Sequence, residues 1–326
     1  MKITFLMLLA LLCFSSPSVA QKENNVWVYG DRSGLDFNSG SPVYITTAAD
    51  GREGTASVSD TDGKLLFYAD GQNLYDNAHT LMPGSTGLIA NTSATQGTVI
   101  VPIDNEQYYV FGVDGIESMQ GRFFYHQVDM SLNGGKGDIV AGMKNILLAD
   151  SMSEKITLAP TCDGIWLIVH HISRPQFYAY KILPSGTISP PVISVTDGIS
   201  SSRIYAVGEM EMSNDYRMIA FSYAGWILFN FDSKTGIVGK TPIMSCPGAS
   251  YGFEFSPDNS KLYVSSETIV QYDLGLLPSA AAVIASKYLV AGQVGARDLD
   301  SVYIGMRLAP DKKIYFSSFS APAYIS

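Results

Sequence analysis

The chain has 326 residues, and 21 Lys and Arg face 30 Asp and Glu, which gives a formal net charge of -9. Hydrophobic residues make up 46% of the chain and charged residues 16%. This composition excludes an intrinsically disordered protein, because such chains lack the apolar surface needed for a core. The acidic balance and the absence of a Lys/Arg run argue against nucleic-acid binding, so no nucleic-acid partner is expected.

The residue types favour strands over helices. Glycine (30), proline (15), tyrosine (19) and phenylalanine (15) are all frequent. Aromatic residues suit strands, and Gly and Pro supply tight turns between them. The sequence therefore predicts an all-β protein.

Residues 1–20 have the pattern of a secretory signal peptide. Lys2 precedes an apolar stretch of about a dozen residues, which is too short to span a bilayer, and Ser18 and Ala20 provide small residues at a cleavage site. We predict cleavage after Ala20, a secreted chain at the cell surface, and no transmembrane segment once the signal is removed. The mature chain, residues 21–326, is predicted to form one domain.

A strand, a polar turn and a second strand recur along the mature chain. In chain order, the first apolar residue after each turn is Leu65, Tyr108, Ile165, Met218, Leu262 and Ile314. The clearest copy is residues 253–265, where alternating apolar residues flank a Pro-Asp-Asn turn. A third strand often follows, as at residues 124–129, 177–180, 228–232 and 270–273.

The unit repeats about every 50 residues, which is the spacing of β-propeller blades. We predict a β-propeller of six or seven blades with TolB-like or WD40-like repeats. A β-sandwich is the competing fold, but its strands would be evenly spaced without this longer period. Residues 278–291 are compatible with a short helix or with a strand.

The two ends of the chain raise the question of ring closure. Seven residues follow Phe319, so the last blade is predicted to lack its outer strand and the propeller to be C-terminally incomplete. An N-terminal strand at residues 26–29 or 43–47 would complete that blade and close a six-bladed ring. Alternatively, the chain is the first part of a longer polypeptide.

Several segments resemble a family of secreted surface proteins of Bacteroidota. They include Gly-Leu-Asp-Phe at residues 34–37, Val-Asp-Met-Ser-Leu-Asn-Gly-Gly at 128–135, and residues 25–30, 65–71 and 251–258. In that family a propeller-like region precedes PKD-type or other immunoglobulin-like domains and often a gliding-motility-associated C-terminal domain. The resemblance implies an adhesin-like or scaffold role and possible downstream immunoglobulin-like domains. This chain departs from the pattern at its C-terminus, where no sorting domain is present.

Few residues suggest catalysis. Glu209 and Glu211 form the one close Glu-x-Glu pair on a predicted strand, and we note them as weak candidates for a glycosidase pair or for lining of a central channel. His170 and His171 are adjacent, so on a strand they point to opposite faces and serve one metal poorly. The stretch Ser256 to Tyr263 resembles the Asp-box of sialidase-type propellers, which is a turn staple.

Asp60 and Asp62 are weak candidates for a metal site, because with Gly63 they match the start of a calcium loop. The distal Glu of such a loop is missing, and the chemistry of a hairpin turn explains the same residues. No cofactor is predicted. Cys162 and Cys246 remain in the mature chain; buried free thiols are favoured, with a disulfide between them left open.

The functional prediction is a non-catalytic cell-surface propeller that binds protein or polysaccharide, with loop aromatics such as Tyr75, Tyr205, Tyr223 and Trp226 as candidate contacts. The alternatives are a secreted carbohydrate-active enzyme, either a glycosidase or a lyase, and a structural spacer without a ligand.

Overall fold

A computed structural model describes residues 22–51, 53–89, 91–104, 106–118, 120–199, 205–292, 303–318 and 323–325. The signal peptide and its cleavage site after Ala20 lie outside these residues. No helix within them is long and apolar enough to cross a bilayer.

The described residues form seven antiparallel sheets, numbered I to VII in chain order. Sheet I contains β1 (Val26–Val28), β2 (Ser33–Asp36) and β3 (Val43–Thr46). Sheet II contains β4 (Ala56–Ser59), β5 (Leu65–Ala69) and β6 (Leu74–Asp76). Sheet III contains β7 (Thr98–Pro102), β8 (Gln107–Val113), β9 (Phe123–Asp129), β10 (Asp138–Ile139) and β11 (Ile146–Ala149). Sheet IV contains β12 (Met152–Thr161), β13 (Gly164–His171), β14 (Gln176–Ile182) and β15 (Val192–Val195).

The remaining sheets follow the same plan. Sheet V contains β16 (Met210–Met212), β17 (Met218–Ser222), β18 (Gly225–Asp232), β19 (Ile237–Val238) and β20 (Met244–Pro247). Sheet VI contains β21 (Phe253–Phe255), β22 (Lys261–Ser265), β23 (Thr268–Asp273) and β24 (Tyr288–Gly292). Sheet VII contains β25 (Tyr303–Leu308), β26 (Ile314–Ser318) and β27 (Ala323–Ile325). The described helices are α1 (Leu132–Gly135), α2 (Ala280–Ala285) and the 3-10 turns Pro83–Ser85, Ile116–Ser118 and Leu274–Leu276.

The seven sheets are arranged as a β-propeller. The first strands of neighbouring sheets contact each other, as β1 does with β4, β12 with β16, and β21 with β25. The first strands are therefore innermost, and each sheet runs outward from the centre as a meander. The fold prediction is confirmed, and the sheet count lies within the predicted six or seven. Each predicted hairpin is formed, and residues 278–291 contain both α2 and the start of β24.

The N-terminal strands do not take the position that one of the two alternatives for ring closure gave them. They do not complete the blade that ends the chain; β1 and β3 join β2 in sheet I. Trp27 of this sheet packs on Tyr315 of sheet VII, with ring centroids 6.0 Å apart, while Val28 packs with Tyr68 of sheet II. Sheet I thus fills the gap between the last sheet and the second.

The core consists of apolar layers between neighbouring sheets. The layer between sheets IV and V contains Phe177, Phe221 and Phe229, and the layer between sheets V and VI contains Trp226 and Phe253. Since strand residues alternate between two faces, each sheet can supply one apolar face to each neighbour. Trp226 is therefore a core residue and not the exposed aromatic predicted from the sequence.

Candidate functional site

One end of the propeller gathers polar side chains from several sheets. The innermost strands all begin at this end, and the antiparallel second strands finish there, as the pairing of Met152 with His171 and of Met210 with Phe221 shows. We call this end the entry face. Glu209, one of the two candidates from the sequence, lies at this end, immediately before β16. Glu211, the other candidate, lies within β16.

Glu209 connects sheets V and VI. Its Oε2 accepts a hydrogen bond of 3.0 Å from the Phe253 backbone N–H, and its own N–H donates to the Tyr251 carbonyl over 2.7 Å. Burial raises the pKa of Glu209 well above its usual range, and the neighbouring Glu211 and Glu254 carboxyls add to the rise. Glu209 therefore fastens the innermost strand of one sheet to that of the next.

Glu254 plays the same part between sheets VI and VII. Its Oε2 accepts from the Leu308 N–H over 2.6 Å and its Oε1 from the Phe255 N–H over 2.9 Å. Burial, followed by the Glu211 charge, raises the pKa of Glu254 to about 8. Innermost strands are sheet edges with N–H groups that need partners, and these carboxyls provide them.

Glu211, Glu254 and Arg307 occupy equivalent positions in three successive innermost strands. In each strand, the residue two positions later begins the turn, and its backbone N–H donates a hydrogen bond to a residue at or next to the start of the second strand. These turn residues are Ser213, Ser256 and Ala309. Burial raises the pKa of Glu211 to about 7, and the Arg307 charge opposes that rise. Arg307 also lies over the ring of Trp27, with its guanidinium carbon 5.9 Å from the ring centroid. Charged side chains thus follow each other around the centre of sheets V to VII.

Four further residues form a hydrogen-bonded network at the entry face, which we call the polar hub: Glu53, Thr95, Glu154 and Tyr251. Glu154 accepts from the Thr95 N–H over 2.9 Å, from the Thr95 hydroxyl over 3.0 Å and, at its other oxygen, from the Ile116 N–H over 2.7 Å. The Thr95 and Tyr251 hydroxyl oxygens are 2.9 Å apart, and the Tyr251 hydroxyl donates to Glu53 over 3.2 Å.

The polar hub draws on five sheets. Glu53 precedes β4, Thr95 precedes β7, Glu154 lies in β12 and Tyr251 precedes β21. The fifth sheet contributes the Gly208 N–H, just before β16, which donates to the Thr95 hydroxyl over 3.2 Å. Burial raises the pKa of Glu53, and the Tyr251 hydrogen bond opposes the rise. These contacts join residues that are far apart in the chain.

Lys155 is a fully buried cation beside the polar hub. Its Nζ donates to the Tyr205 carbonyl over 3.0 Å and to the Val207 carbonyl, and it lies 5.3 Å from the centre of the Phe221 ring. Burial lowers the pKa of Lys155 to about 7, against the opposing charges of Glu154 and Glu209. Lys155 thereby holds residues 205–207 against sheet IV.

Two of the aromatic residues predicted as ligand contacts lie together at the entry face. Tyr205 and Tyr223 are half-buried, and their ring centroids are 4.3 Å apart. Tyr205 is three residues from Gly208, which bonds to the polar hub. Tyr75 lies elsewhere, stacked on Tyr68 and bonded to Asp70 over 3.1 Å.

Asp60 and Asp62 belong to the β4–β5 turn. Asp60 Oδ1 accepts from the N–H groups of Asp62 and Lys64, both over 2.9 Å. Gly63 adopts a φ of +88°, and a Cβ at this position would collide with the Asn38 side chain. The described residues contain no group of three or more His, Cys, Asp or Glu positioned to hold a metal ion. The structure thus gives Asp60 a role in the turn.

The histidines and cysteines are dispersed. His170 packs between Phe177 and Phe221, whereas His171 faces Tyr178. His126 accepts from the Asn145 N–H over 2.9 Å, and burial lowers its pKa to about 4. Cys246 is buried and Cys162 is exposed, and both are free thiols. The expectation that both cysteines are buried was therefore wrong for Cys162, which lies at the β12–β13 turn.

Sequence reasoning found Glu209, Glu211 and the pair Tyr205 and Tyr223 but missed Glu254, Arg307 and the residues of the polar hub. A signal for two of them was present, because Glu254 in Phe-Glu-Phe and Arg307 in Met-Arg-Leu align with Glu211 in Met-Glu-Met. A charge at the centre of a strand is unusual unless the strand lines a polar space. Thr95, Glu154 and Tyr251 had no such signal.

No protein-family model and no curated protein matches this chain. Among solved structures, the chain is similar to the β-propeller domain of Myceliophteria thermophila Cps50 (Swd1), with 10% identity, a TM-score of 0.54, and coverage of 91% of this chain and 90% of that one. It is also similar to a proposed 6-phosphogluconolactonase from Bacteroides fragilis NCTC 9343, with 10% identity, a TM-score of 0.49, and coverage of 93% and 94%. A further match is a protein named glucose dehydrogenase, with 10% identity, a TM-score of 0.48, and coverage of 84% and 95%. At 10% identity, the likeness to the Cps50 domain shows the propeller fold alone.

Proposed function

We propose that this chain is a secreted, non-catalytic propeller of the cell surface that binds a protein or a glycan at its entry face. The observation that carries the proposal is the half-buried pair Tyr205 and Tyr223, next to the point where five sheets meet in the polar hub. Aromatic rings provide a large contact area at low entropic cost, and a rigid polar support fixes their position.

The hydrogen bonds accepted by the central carboxyls favour a binding role over a catalytic one. Glu209 and Glu254 accept backbone hydrogen bonds from neighbouring innermost strands, and Glu154 accepts three bonds in the polar hub. These acids are therefore occupied in fastening one sheet to the next. A glycosidase requires a pair of carboxyls that faces a sugar bond.

The cell-surface location and the wider architecture rest on the signal-peptide pattern and on the family resemblance. If the resemblance holds, the native protein contains immunoglobulin-like domains beyond this propeller. An immunoblot of cells and medium with an antibody against residues 21–326 would then show a band much larger than the 35.2 kDa of this chain. A band at the size of the processed chain would contradict that architecture.

The binding proposal is tested with purified residues 21–326, cell-surface polysaccharides and cell-surface proteins. Tyr205→Ala and Tyr223→Ala are expected to weaken a detected interaction at least tenfold. Tyr44→Ala is the matched control, because Tyr44 is 62% exposed on the outer strand of sheet I. Equal loss in all three variants, or loss in none, would rule out the entry face as the binding surface.

A carbohydrate-active enzyme is the second candidate, supported by one observation. Burial raises the pKa of Glu211 to about 7, so this carboxyl could donate a proton near neutral pH. If the chain cleaves a polysaccharide, Glu211→Gln should abolish the cleavage while the variant unfolds as cooperatively as the parent. Unchanged cleavage in a folded Glu211→Gln variant would exclude Glu211 as the acid.

A further inference from the structure

A small cavity lies between sheets IV and V at the entry face. It has room for about one water molecule, and its lining includes His170, Arg174, Phe221, Tyr205 and Tyr223. His170 and Phe221 are the penultimate residues of β13 and β17, so the cavity lies at the ends of these two strands, beside Tyr205 and Tyr223, which also line it. A single oxygen atom of a ligand would fit in it.

His170 lines this cavity and has a ring nitrogen without a hydrogen-bond partner among the described residues. The residue is 6% exposed, and its Nε2 is buried without a hydrogen-bond partner among the described residues. The ring is held by Phe177 and Phe221, with centroids 4.9 and 4.7 Å away. A buried polar atom without a partner costs about 1–3 kcal/mol, so such atoms in native proteins usually have a reason.

Three basic side chains lie near His170, although the chain as a whole is acidic. Lys155 lies against the same Phe221 ring, His171 is the next residue, and the exposed Arg174 lines the cavity. Burial, with Lys155 and His171 adding to it, lowers the pKa of His170 well below its usual range. The ring is therefore neutral near pH 7, and in the tautomer protonated at Nε2 it has an N–H group available to donate a hydrogen bond. Among the acids of this region, Glu154 and Glu209 act on Lys155, and Asp150 acts on His171.

We propose that this cavity is a subsite for the carboxylate of an acidic glycan, such as a uronic acid unit. One carboxylate oxygen enters the cavity and accepts a hydrogen bond from His170 Nε2–H, while the Arg174 guanidinium pairs with the carboxylate. The sugar ring then rests against Tyr205 and Tyr223. This inference rests on the proposed function and adds the chemical class of its ligand. A glycan is favoured over an acidic peptide because the cavity admits one oxygen and the neighbouring contact surface is aromatic.

The test compares two polysaccharides with the same backbone, polygalacturonate and its neutral, fully methyl-esterified form, by calorimetry with residues 21–326. Polygalacturonate is expected to bind at least tenfold more tightly. Arg174→Ala and His170→Phe, which keeps a buried ring, are each expected to weaken that binding at least tenfold. Arg217→Ala is the matched control, since the Arg217 side chain is 81% exposed in sheet V. Arg174 is exposed, so its variant remains informative even if His170→Phe does not fold.

A second measurement uses galacturonate monomer and NMR of the histidine ring nitrogens. Galacturonate is expected to shift the His170 Nε2 signal, and galactose is not. Equal binding of both polysaccharides with loss in the tyrosine variants would overturn the carboxylate subsite and leave the proposed function intact. Binding of poly-glutamate in place of polygalacturonate would overturn the glycan class, and the absence of every protein and glycan ligand would overturn both proposals.

Discussion

At the residue scale, the centre of this propeller depends on buried carboxyls with assigned partners. Glu154 is the clearest case, because both of its oxygens are used and the residue is almost fully buried. A charged acceptor with several donors is stabilising only while the set remains complete. Loss of the carboxyl leaves the Thr95 and Ile116 N–H groups without their acceptor.

Glu154→Ala is therefore expected to lower the free energy of unfolding by about 3 kcal/mol or more, since removal of one partner leaves buried donors unpaired. Urea denaturation followed by tyrosine and tryptophan fluorescence measures this change. Glu106→Ala is the control: Glu106 is exposed at the β7–β8 turn, and its loss should change stability by less than about 0.5 kcal/mol. Similar effects of the two substitutions would show that the polar hub adds nothing to stability.

Glu211 gives the protein a pH dependence whose sign can be derived. Its pKa is about 7 in the folded protein and lies near the usual value of 4.5 for a glutamate when the chain is unfolded. Between these two pH values the folded state binds more protons than the unfolded state. The stabilising contribution of Glu211 is therefore fully present below pH 4.5 and is lost as the pH rises through about 7. Glu211→Gln should therefore flatten the decline in stability between pH 5 and pH 8. Denaturation curves of both proteins at four pH values test this, and parallel curves would contradict it.

At the element scale, each innermost strand is a sheet edge that the next sheet must complete. Glu209 and Glu254 do this with carboxyls, whereas sheet I does it with aromatic packing. Trp27 lies at the position in sheet I that is equivalent to Arg307 in sheet VII. Two residues after Trp27, the Tyr29 N–H donates a hydrogen bond to the Ser33 carbonyl at the start of the second strand. It contacts Phe37 at 4.8 Å and Tyr315 of sheet VII at 6.0 Å between ring centroids. The contact between sheets I and VII is thus mainly apolar.

Trp27→Ala should lower the free energy of unfolding by about 3–5 kcal/mol, because it empties a buried site at the junction of two sheets. Tyr44→Ala in the same sheet serves as the control, with an expected change below about 1 kcal/mol for an exposed side chain. Both are measured by urea denaturation. A small effect at Trp27 would mean that sheet I contributes little to closure.

At the scale of the whole molecule, closure of the ring decides stability and solubility. Sheet I packs on sheet VII through Trp27 and on sheet II through Val28, so these short strands join the two ends of the array. A propeller with a missing sheet exposes strand edges and apolar faces that can pair with other chains. The N-terminal segment therefore has a structural role as large as that of any internal repeat.

Deletion of residues 22–47 is expected to increase self-association, giving larger oligomers or aggregates than the parent protein forms. Size-exclusion chromatography with light scattering measures the mass of both proteins. A deletion variant with the same association state as the parent that unfolds cooperatively would show that sheets II to VII close by themselves.

Local patterns in the sequence are sufficient to predict the fold class and most of the hairpins. Alternation of apolar residues, Pro-Asp and Asp-Gly turns and a repeat of about 50 residues are local signals, and the units around residues 56–68, 253–265 and 306–316 are formed as they predict. The N-terminal strands were also predicted, but the sheet to which they belong was not. The choice between completing the last blade and forming a separate sheet depends on how the ring closes.

The hydrogen-bond partners of the central polar residues are visible only in the tertiary structure. Glu209 and Glu211 were visible as a pair, yet only the assembled sheets show that Glu209 bonds to the next strand and that Glu254 and Arg307 surround Glu211. Thr95 and Tyr251 are 156 positions apart and meet at 2.9 Å, and Trp226, an exposed contact by sequence, lies in the core. The physical reason is that strand period and turn chemistry act over a few residues. Contacts at the centre of this propeller join first strands that start roughly 30 to 60 residues apart, and no local pattern encodes them.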